Sequence, residues 1–194
     1  MQGRVYFYAV SAVLMWSTTA ALVKSLLTAI PTYEALFVSS LAGCLFLIVI
    51  QLVRDGGRVF RAYDVRGYAA MAGLGFLGIF LYSGLYYYGL SQLTSQEACI
   101  LNFLWPMMIV LFAAFLLGER ITVRTAAALF LSFSGVVALT LGGEGHAKGN
   151  AVMGMIACIL AAVCYGLFCV LNKRRNIDQT VMMVVAWGVT ALCS

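Results

Sequence analysis

The chain has 194 residues, of which 63% are hydrophobic and 10% charged, and its mean hydropathy is +0.99. A soluble domain has roughly 45–50% apolar residues and could not hide this much apolar surface, so the composition predicts an integral membrane protein. The 12 basic residues outnumber the 7 acidic ones, giving a net charge of +5. They lie between apolar runs, which favours a role in membrane topology over nucleic-acid binding.

Apolar segments of the length that crosses a hydrocarbon core, about 20 residues, recur along the whole chain. We predict transmembrane helices over residues 5–27, 33–53, 68–90, 98–117, 125–141 and 151–171. A seventh segment begins at Val181 and stops at Ser194, which is too short to span. The pattern predicts an all-α, multi-span helical bundle, and we expect the chain to be cut off within its seventh span.

The predicted connections on one side of the membrane carry many more Lys and Arg residues than those on the other side. Only Lys24 and Lys148 fall on one side, whereas the amino-terminal side carries Arg4, Arg54, Arg58, Arg61, Arg66, Arg120, Arg124, Lys173, Arg174 and Arg175. Since cytoplasmic loops carry an excess of Lys and Arg, we expect a cytoplasmic amino terminus and an outer loop at residues 142–150.

The first and sixth spans share a spacing that indicates an internal repeat. Trp16 and Lys24 correspond to Tyr165 and Lys173 at the same offset of 149 residues. Five spans are an odd number, so the second copy would enter the membrane inverted relative to the first. Inverted repeats of this kind are typical of transporters that hold substrate near the midplane.

The repeat predicts two domains. Residues 1–142 would form a first five-helix repeat, and residues 150–194 would begin a second, inverted one. A complete second copy would bring the protein to ten helices, of which six and part of a seventh are present here.

The fourth span contains a proline about halfway across. Pro106 has no N–H, and its ring crowds the carbonyl of Asn102, so that carbonyl loses its helical partner at a depth without bulk water. The kink either offers this carbonyl, the Asn102 amide and the Trp105 ring to a substrate, or is a proline kink satisfied by a neighbouring helix.

Several aromatic residues lie too deep to belong to an interfacial belt. Trp16 and Trp105 are near the centres of their spans, and Tyr82 and Tyr86 lie on one face of the third span together with Gly75 and Gly78. These rings either line a cavity or pack against small residues of neighbouring helices. Gly73, Gly84 and Gly89 also favour close helix approach.

Charged residues at the helix ends have simpler interpretations. Lys24 either extends towards the outer interface or contacts a substrate carboxylate. Thr94 and Glu97 match a capping box, and Glu119 is expected to have a loop or ion-pair role.

Metal, cofactor and enzymatic chemistry find little support in the sequence. The single histidine, His146, lies in a Gly-rich loop, and the cysteines lie inside apolar runs. No Asp, Glu or His lies well inside a predicted span, so a membrane-embedded enzyme and a metal or cofactor site are disfavoured.

Four short segments together resemble one family of membrane transporters. Residues 15–18 (MWST), 94–98 (TSQEA), 101–106 (LNFLWP) and 116–120 (LLGER) resemble the EamA family of the drug/metabolite transporter superfamily. Within that family, residues 102–106 and 168–173 (FCVLNK) are most similar to YddG-type aromatic amino acid exporters.

This resemblance implies a bacterial inner-membrane protein of ten helices in two inverted repeats, with both termini cytoplasmic. It also implies a central aromatic-lined cavity that works by alternating access. Its substrate-binding residues here would be Trp16, Tyr82, Tyr86, Asn102, Phe103, Trp105 and Tyr165. The expected partners are an aromatic amino acid or similar small molecule and the lipid bilayer. An exporter of other metabolites or drugs, and a non-transporting assembly subunit, are the alternatives.

Overall fold

The computed structural model describes residues 2–142, 150–175 and 177–194, apart from the side chains of residues 2–5, 9, 16, 20, 55, 136 and 139–142. Within these ranges the chain is all-helical, as the composition predicts. The helices are α1 Gln2–Leu26, α2 Thr32–Asp55, α3 Val65–Gly75, α4 Tyr82–Gln92, α5 Ser95–Asn102, α6 Trp105–Leu117, α7 Val123–Gly142, α8 Ala151–Lys173 and α9 Gln179–Cys193. A short 3₁₀ helix, Arg58–Ala62, precedes α3, and a π-helical turn, Phe76–Leu81, joins α3 to α4.

The helices match the predicted membrane spans closely. Among the described residues, five helical segments, two of which combine consecutive helices, are long and apolar enough to cross a membrane. They are Tyr6–Leu26, Thr32–Arg54, Val65–Gln92, Ser95–Leu117 and Ala151–Lys173. The helices α7 and α9 correspond to the fifth and seventh predicted segments. The prediction of a multi-span helical membrane protein is confirmed.

Polar side chains fix where several helices begin. Thr94 and Glu97 form the predicted capping box: the Thr94 hydroxyl accepts from the Glu97 N–H, and the Glu97 carboxylate accepts from the Thr94 N–H. Asp64, Asn150 and Asp178 each accept a backbone N–H in the first turn of α3, α8 and α9. Each cap satisfies a donor that a helix start leaves without a partner.

Small residues bring α8 against two neighbouring helices. A Cβ on Gly166 would lie 2.5 Å from the Met108 Cβ of α6, and a Cβ on Gly89 would overlap the Cys158 sulfur. Similarly, a Cβ on Gly75 would lie 2.6 Å from the Ala186 Cα of α9. Backbones can approach this closely only where the side chain is missing, which is how small residues drive helix association in membranes.

The predicted glycines of the third span differ in their roles. Gly75, Gly78 and Gly89 pack closely against α8 or α9. A Cβ on Gly73 would face open space, and one on Gly84 would make only an ordinary van der Waals contact. The spacing of these glycines along the span does not predict which of them contact a neighbouring helix.

Contacts between helix ends confirm that the spans alternate in direction. At one end, Lys173 at the end of α8 meets Glu119, which follows α6, and the Asp178 N–H donates to the Tyr63 hydroxyl at 2.9 Å. We call this the basic end, because α2, α6 and α8 end here with most of the Lys and Arg residues. At the opposite end, the Asn150 N–H donates to Oε1 of Gln92 at 3.0 Å.

The Lys24 ammonium lies at that opposite end. It donates to the backbone carbonyls of Leu90 and Leu93, at the carboxyl end of α4. Carbonyls at a helix carboxyl end lack helical partners and carry partial negative charge, so a lysine there stabilises the helix terminus.

Large apolar side chains remain exposed along most helices, including Val10, Phe46, Phe115, Phe130 and Ile159. An apolar surface of this extent is unfavourable in water and suits contact with lipid or with further helices.

The internal repeat, with its division into residues 1–142 and 150–194, stays a prediction.

Candidate functional site

The fourth span is broken where the sequence predicts a proline kink. Helix α5 ends at Asn102, and α6 begins at Trp105 with Pro106 in its first turn. Between them the Leu104 N–H donates to the Leu101 carbonyl at 3.2 Å, a tighter turn than an α-helix makes. Pro106 cannot donate to the carbonyl of Asn102, so the hydrogen-bond ladder stops near mid-span.

The Asn102 side chain joins this break to the third span. Its Nδ2 donates to the Tyr82 hydroxyl at 3.1 Å, which fixes the orientation of the amide. The Oδ1 atom is buried and accepts no hydrogen bond from the described residues. A buried acceptor without a donor is costly, so this oxygen is a ready partner for an N–H group of a ligand.

A cluster of rings adjoins this amide through Tyr82, with Tyr165 of α8 at its centre. The Tyr165 ring lies 4.8 Å from the Tyr82 ring and 5.4 Å from the Trp105 ring, centroid to centroid, and the Trp105 contact is edge-on. On the far side, Phe168 lies 5.9 Å from Tyr165. Tyr86 lies 6.1 Å from Tyr82 with the two ring planes nearly parallel. These five residues, here called the ring cluster, come from α4, α6 and α8.

The ring cluster has a buried side and an open side. Phe168 is 1% exposed and Tyr86 is also buried, so these two rings serve as packing. Tyr82, Trp105 and Tyr165 are half-buried and present the accessible faces. A flat apolar group could stack on these faces while its polar end reaches Asn102.

The structure therefore brings together five of the residues that the sequence predicts for the site: Tyr82, Tyr86, Asn102, Trp105 and Tyr165. Phe103 lies in the turn between α5 and α6, is 57% exposed and makes no ring contact with the cluster among the described residues. The side chain of Trp16 lies outside the part of the structure described here. A role in substrate binding stays a prediction for all seven residues.

Phe168 is the member of the cluster that the sequence analysis did not select. It lies three residues after Tyr165, on the same face of α8, and it occupies the space left by the missing side chain of Gly78. The sequence signal that could have identified Phe168 is its helical spacing from Tyr165, together with a glycine, Gly78, on another span that leaves room for its ring.

Ion pairing at the basic end agrees with the expectation for Glu119. Its Oε1 accepts from the Lys173 ammonium at 2.8 Å. Among the described residues, no group of three or more His, Cys, Asp and Glu side chains could hold a metal ion, and His146 falls outside them.

A bundle of apolar spans with a broken helix beside buried rings is typical of membrane transporters. The sequence profile of the EamA-like transporter family matches residues 3–141. The chain belongs to the EamA-like transporter family, which confirms the resemblance seen in its motifs and places it among transporters and not enzymes.

Individual relatives agree with this assignment. The chain is 30% identical over 174 residues to a protein of Ancylobacter novellus named aromatic amino acid exporter YddG, covering 84% of this chain and 56% of that protein. It is 35% identical over 100 residues to the uncharacterized transporter YetK of Bacillus subtilis, covering 50% of this chain and 30% of YetK. It is 33% identical over 113 residues to the pseudopaline exporter CntI of Pseudomonas aeruginosa, covering 58% of this chain and 38% of CntI.

A solved crystal structure also shares the fold. It matches with a TM-score of 0.69 and 31% sequence identity, covering 94% of this chain and 63% of the other. The chain spans about half the length, or less, of the named relatives that it matches.

Proposed function

We propose that the protein exports aromatic amino acids through a central cavity of which the ring cluster forms one wall. The observation that carries this proposal is the contact of the Tyr82, Trp105 and Tyr165 rings with one another, together with the bond from Tyr82 to Asn102, whose Oδ1 is unsatisfied. Similarity to a protein named as an aromatic amino acid exporter supports the choice of substrate.

The chemistry of the site fits both ends of such a substrate. An aromatic side chain stacks or packs edge-on against the half-buried rings, each pair contributing about 0.5–1.5 kcal/mol beyond burial. The substrate ammonium donates to Asn102 Oδ1, and its positive charge is also stabilised by the faces of Tyr82 and Trp105.

Transport would follow from alternating access between two inverted repeats, residues 1–142 and a second copy that begins with residues 150–194. The excess of basic residues at one end favours a cytoplasmic amino terminus, and the bacterial relatives favour an inner (plasma) membrane. In this arrangement the substrate enters from the basic end and leaves at the opposite end.

Counterflow of labelled phenylalanine into proteoliposomes of the full-length protein tests the proposal. Trp105→Ala should reduce uptake of aromatic amino acids by about tenfold, because it removes one accessible ring of the cluster. The matched control is Phe115→Ala, which removes an aromatic residue of the same helix that is 83% exposed. Transport no faster than in empty vesicles, or equal loss in both variants, would contradict the proposal.

Similarity to a protein named as a pseudopaline exporter favours one alternative, an exporter of larger amino-acid-derived metabolites. Competition decides between the two: an excess of unlabelled non-aromatic amino acid conjugates should not slow phenylalanine counterflow if aromatic amino acids are the substrates.

A further inference from the structure

A pocket of about 300 Å³ lies at the basic end, between α6, the start of α7 and α8. Its walls are largely apolar and include Ile109, Ala113 and Val170, while Glu119 and Lys173 supply opposite charges. This volume is at the lower limit of pockets that hold small molecules. None of the lining residues belongs to the ring cluster.

The charges at the pocket form a loose pair. Lys173 and Glu119 are 2.8 Å apart, but their side chains are 66% and 51% exposed. Exposed ion pairs contribute little to stability because water solvates both charges well. Either partner can therefore exchange its contact for another ion at small cost. Arg120 adds a second positive charge to the lining, which favours a carboxylate.

The pocket continues the line of the ring cluster along two parallel helices. Trp105 of α6 meets Tyr165 of α8, and four residues further along each helix Ile109 and Cys169 both line the pocket. Four more residues lead to Ala113 and Lys173, which line it as well. Residues four apart lie on one helix face, so the charged pair is roughly 12 Å from the ring cluster along the same seam.

We propose that this pocket is a second binding site for a zwitterionic amino acid. The amino acid binds here first and then moves to the ring cluster. Lys173 binds the carboxylate, Glu119 binds the ammonium, and the apolar walls take the side chain. The ligand's two charges replace the two halves of the existing ion pair, so binding leaves no charge without a partner. This inference rests on the proposed function, since it concerns how the same class of substrate enters.

Protection of Cys169 from a maleimide measures occupancy of the pocket without relying on transport. The six cysteines are free, and Cys169 is a lining residue of intermediate exposure. The background is the full-length protein with the other described cysteines replaced by Ala: Cys44, Cys99, Cys158, Cys164 and Cys193. The probes are L-phenylalanine, phenethylamine, which lacks the carboxylate, and 3-phenylpropionate, which lacks the ammonium.

L-phenylalanine should slow labelling of Cys169 in this background. Lys173→Gln should weaken the protection of Cys169 by L-phenylalanine by about fivefold, as expected for loss of an exposed ion pair. Protection by phenethylamine, which has no carboxylate, should be unchanged. Glu119→Gln should leave protection by 3-phenylpropionate unchanged and weaken that by L-phenylalanine. The matched control is Arg174→Gln, an exposed basic residue next to Lys173 that does not line the pocket, and it should behave as the background.

The failure modes are separable. Trp105→Ala should reduce counterflow by about tenfold yet keep Cys169 protected, because the two sites are distinct. If the wild-type protein transports no aromatic amino acid, the proposed function is wrong. Protection of Cys169 by L-phenylalanine still tests whether the pocket binds an amino acid. No protection by any of the probes, or protection that Lys173→Gln leaves unaltered, would overturn the second site and leave the pair as a structural contact.

Discussion

Replacing Gly166 with alanine tests the packing on which the ring cluster depends. The new Cβ would lie 2.5 Å from the Met108 Cβ, 3.1 Å from the Met108 carbonyl carbon and 3.2 Å from the Ile109 nitrogen. Favourable carbon contacts lie near 3.5–4.0 Å, so α6 and α8 must separate by about 1 Å. Overpacking of this kind typically costs about 1–3 kcal/mol, and the backbone atoms involved cannot rotate away.

The same separation should reach the substrate site. Gly166 is adjacent to Tyr165, whose ring meets Trp105 at 5.4 Å, so moving the helices apart opens this contact. Gly166→Ala is therefore expected to weaken counterflow as well as stability.

Thermal unfolding in detergent measures the stability change, with Gly73→Ala as the matched control because a Cβ there meets nothing within 4 Å. Both substitutions gain about the same helix propensity, so their difference reports packing alone. We expect Gly166→Ala to unfold several degrees below Gly73→Ala, at about 2–4 °C per kcal/mol. Equal melting temperatures would refute the close approach of α6 and α8.

Three further substitutions test the polar contacts of the bundle. Asn102→Leu removes the open acceptor and should reduce phenylalanine counterflow by about tenfold or more, whereas Tyr82→Phe keeps that acceptor and should reduce it less. Equal losses would contradict the role of Oδ1. Lys24→Met removes a cation from the carbonyls that end α4 and should lower the free energy of unfolding by about 1.5–3 kcal/mol, measured by thermal or denaturant unfolding. Unchanged stability with a raised KM for amino acids would instead support a contact between Lys24 and the substrate.

The sequence predicted those features that depend on local chemistry. The spans follow from the length and hydropathy of each segment, and the break in the fourth span follows from the missing N–H of Pro106. The capping box at Thr94 and Glu97 could be predicted in the same way, because its geometry involves only one helix turn.

Features that depend on a neighbouring helix could not be derived from the sequence alone. Gly73 and Gly75 are equivalent as residues, yet only Gly75 meets Ala186 of α9. Lys24 was expected at the interface or at a substrate, and its partners are carbonyls 66 and 69 residues away. Phe168 joins the ring cluster because Gly78 leaves room for it on a different span. Each outcome depends on the relative position of two helices. The residue spacing within one helix does not predict that position.

The π-helical turn Phe76–Leu81 lets one continuous span serve two different neighbours. A wide turn holds an additional residue, so side chains beyond it are rotated by roughly 100° relative to an uninterrupted α-helix. The first half of the span packs on α9 and the second half on α8. The direction in which Tyr82 points, and hence its bond to Asn102, is thus set by the wide backbone turn that ends at the residue before it.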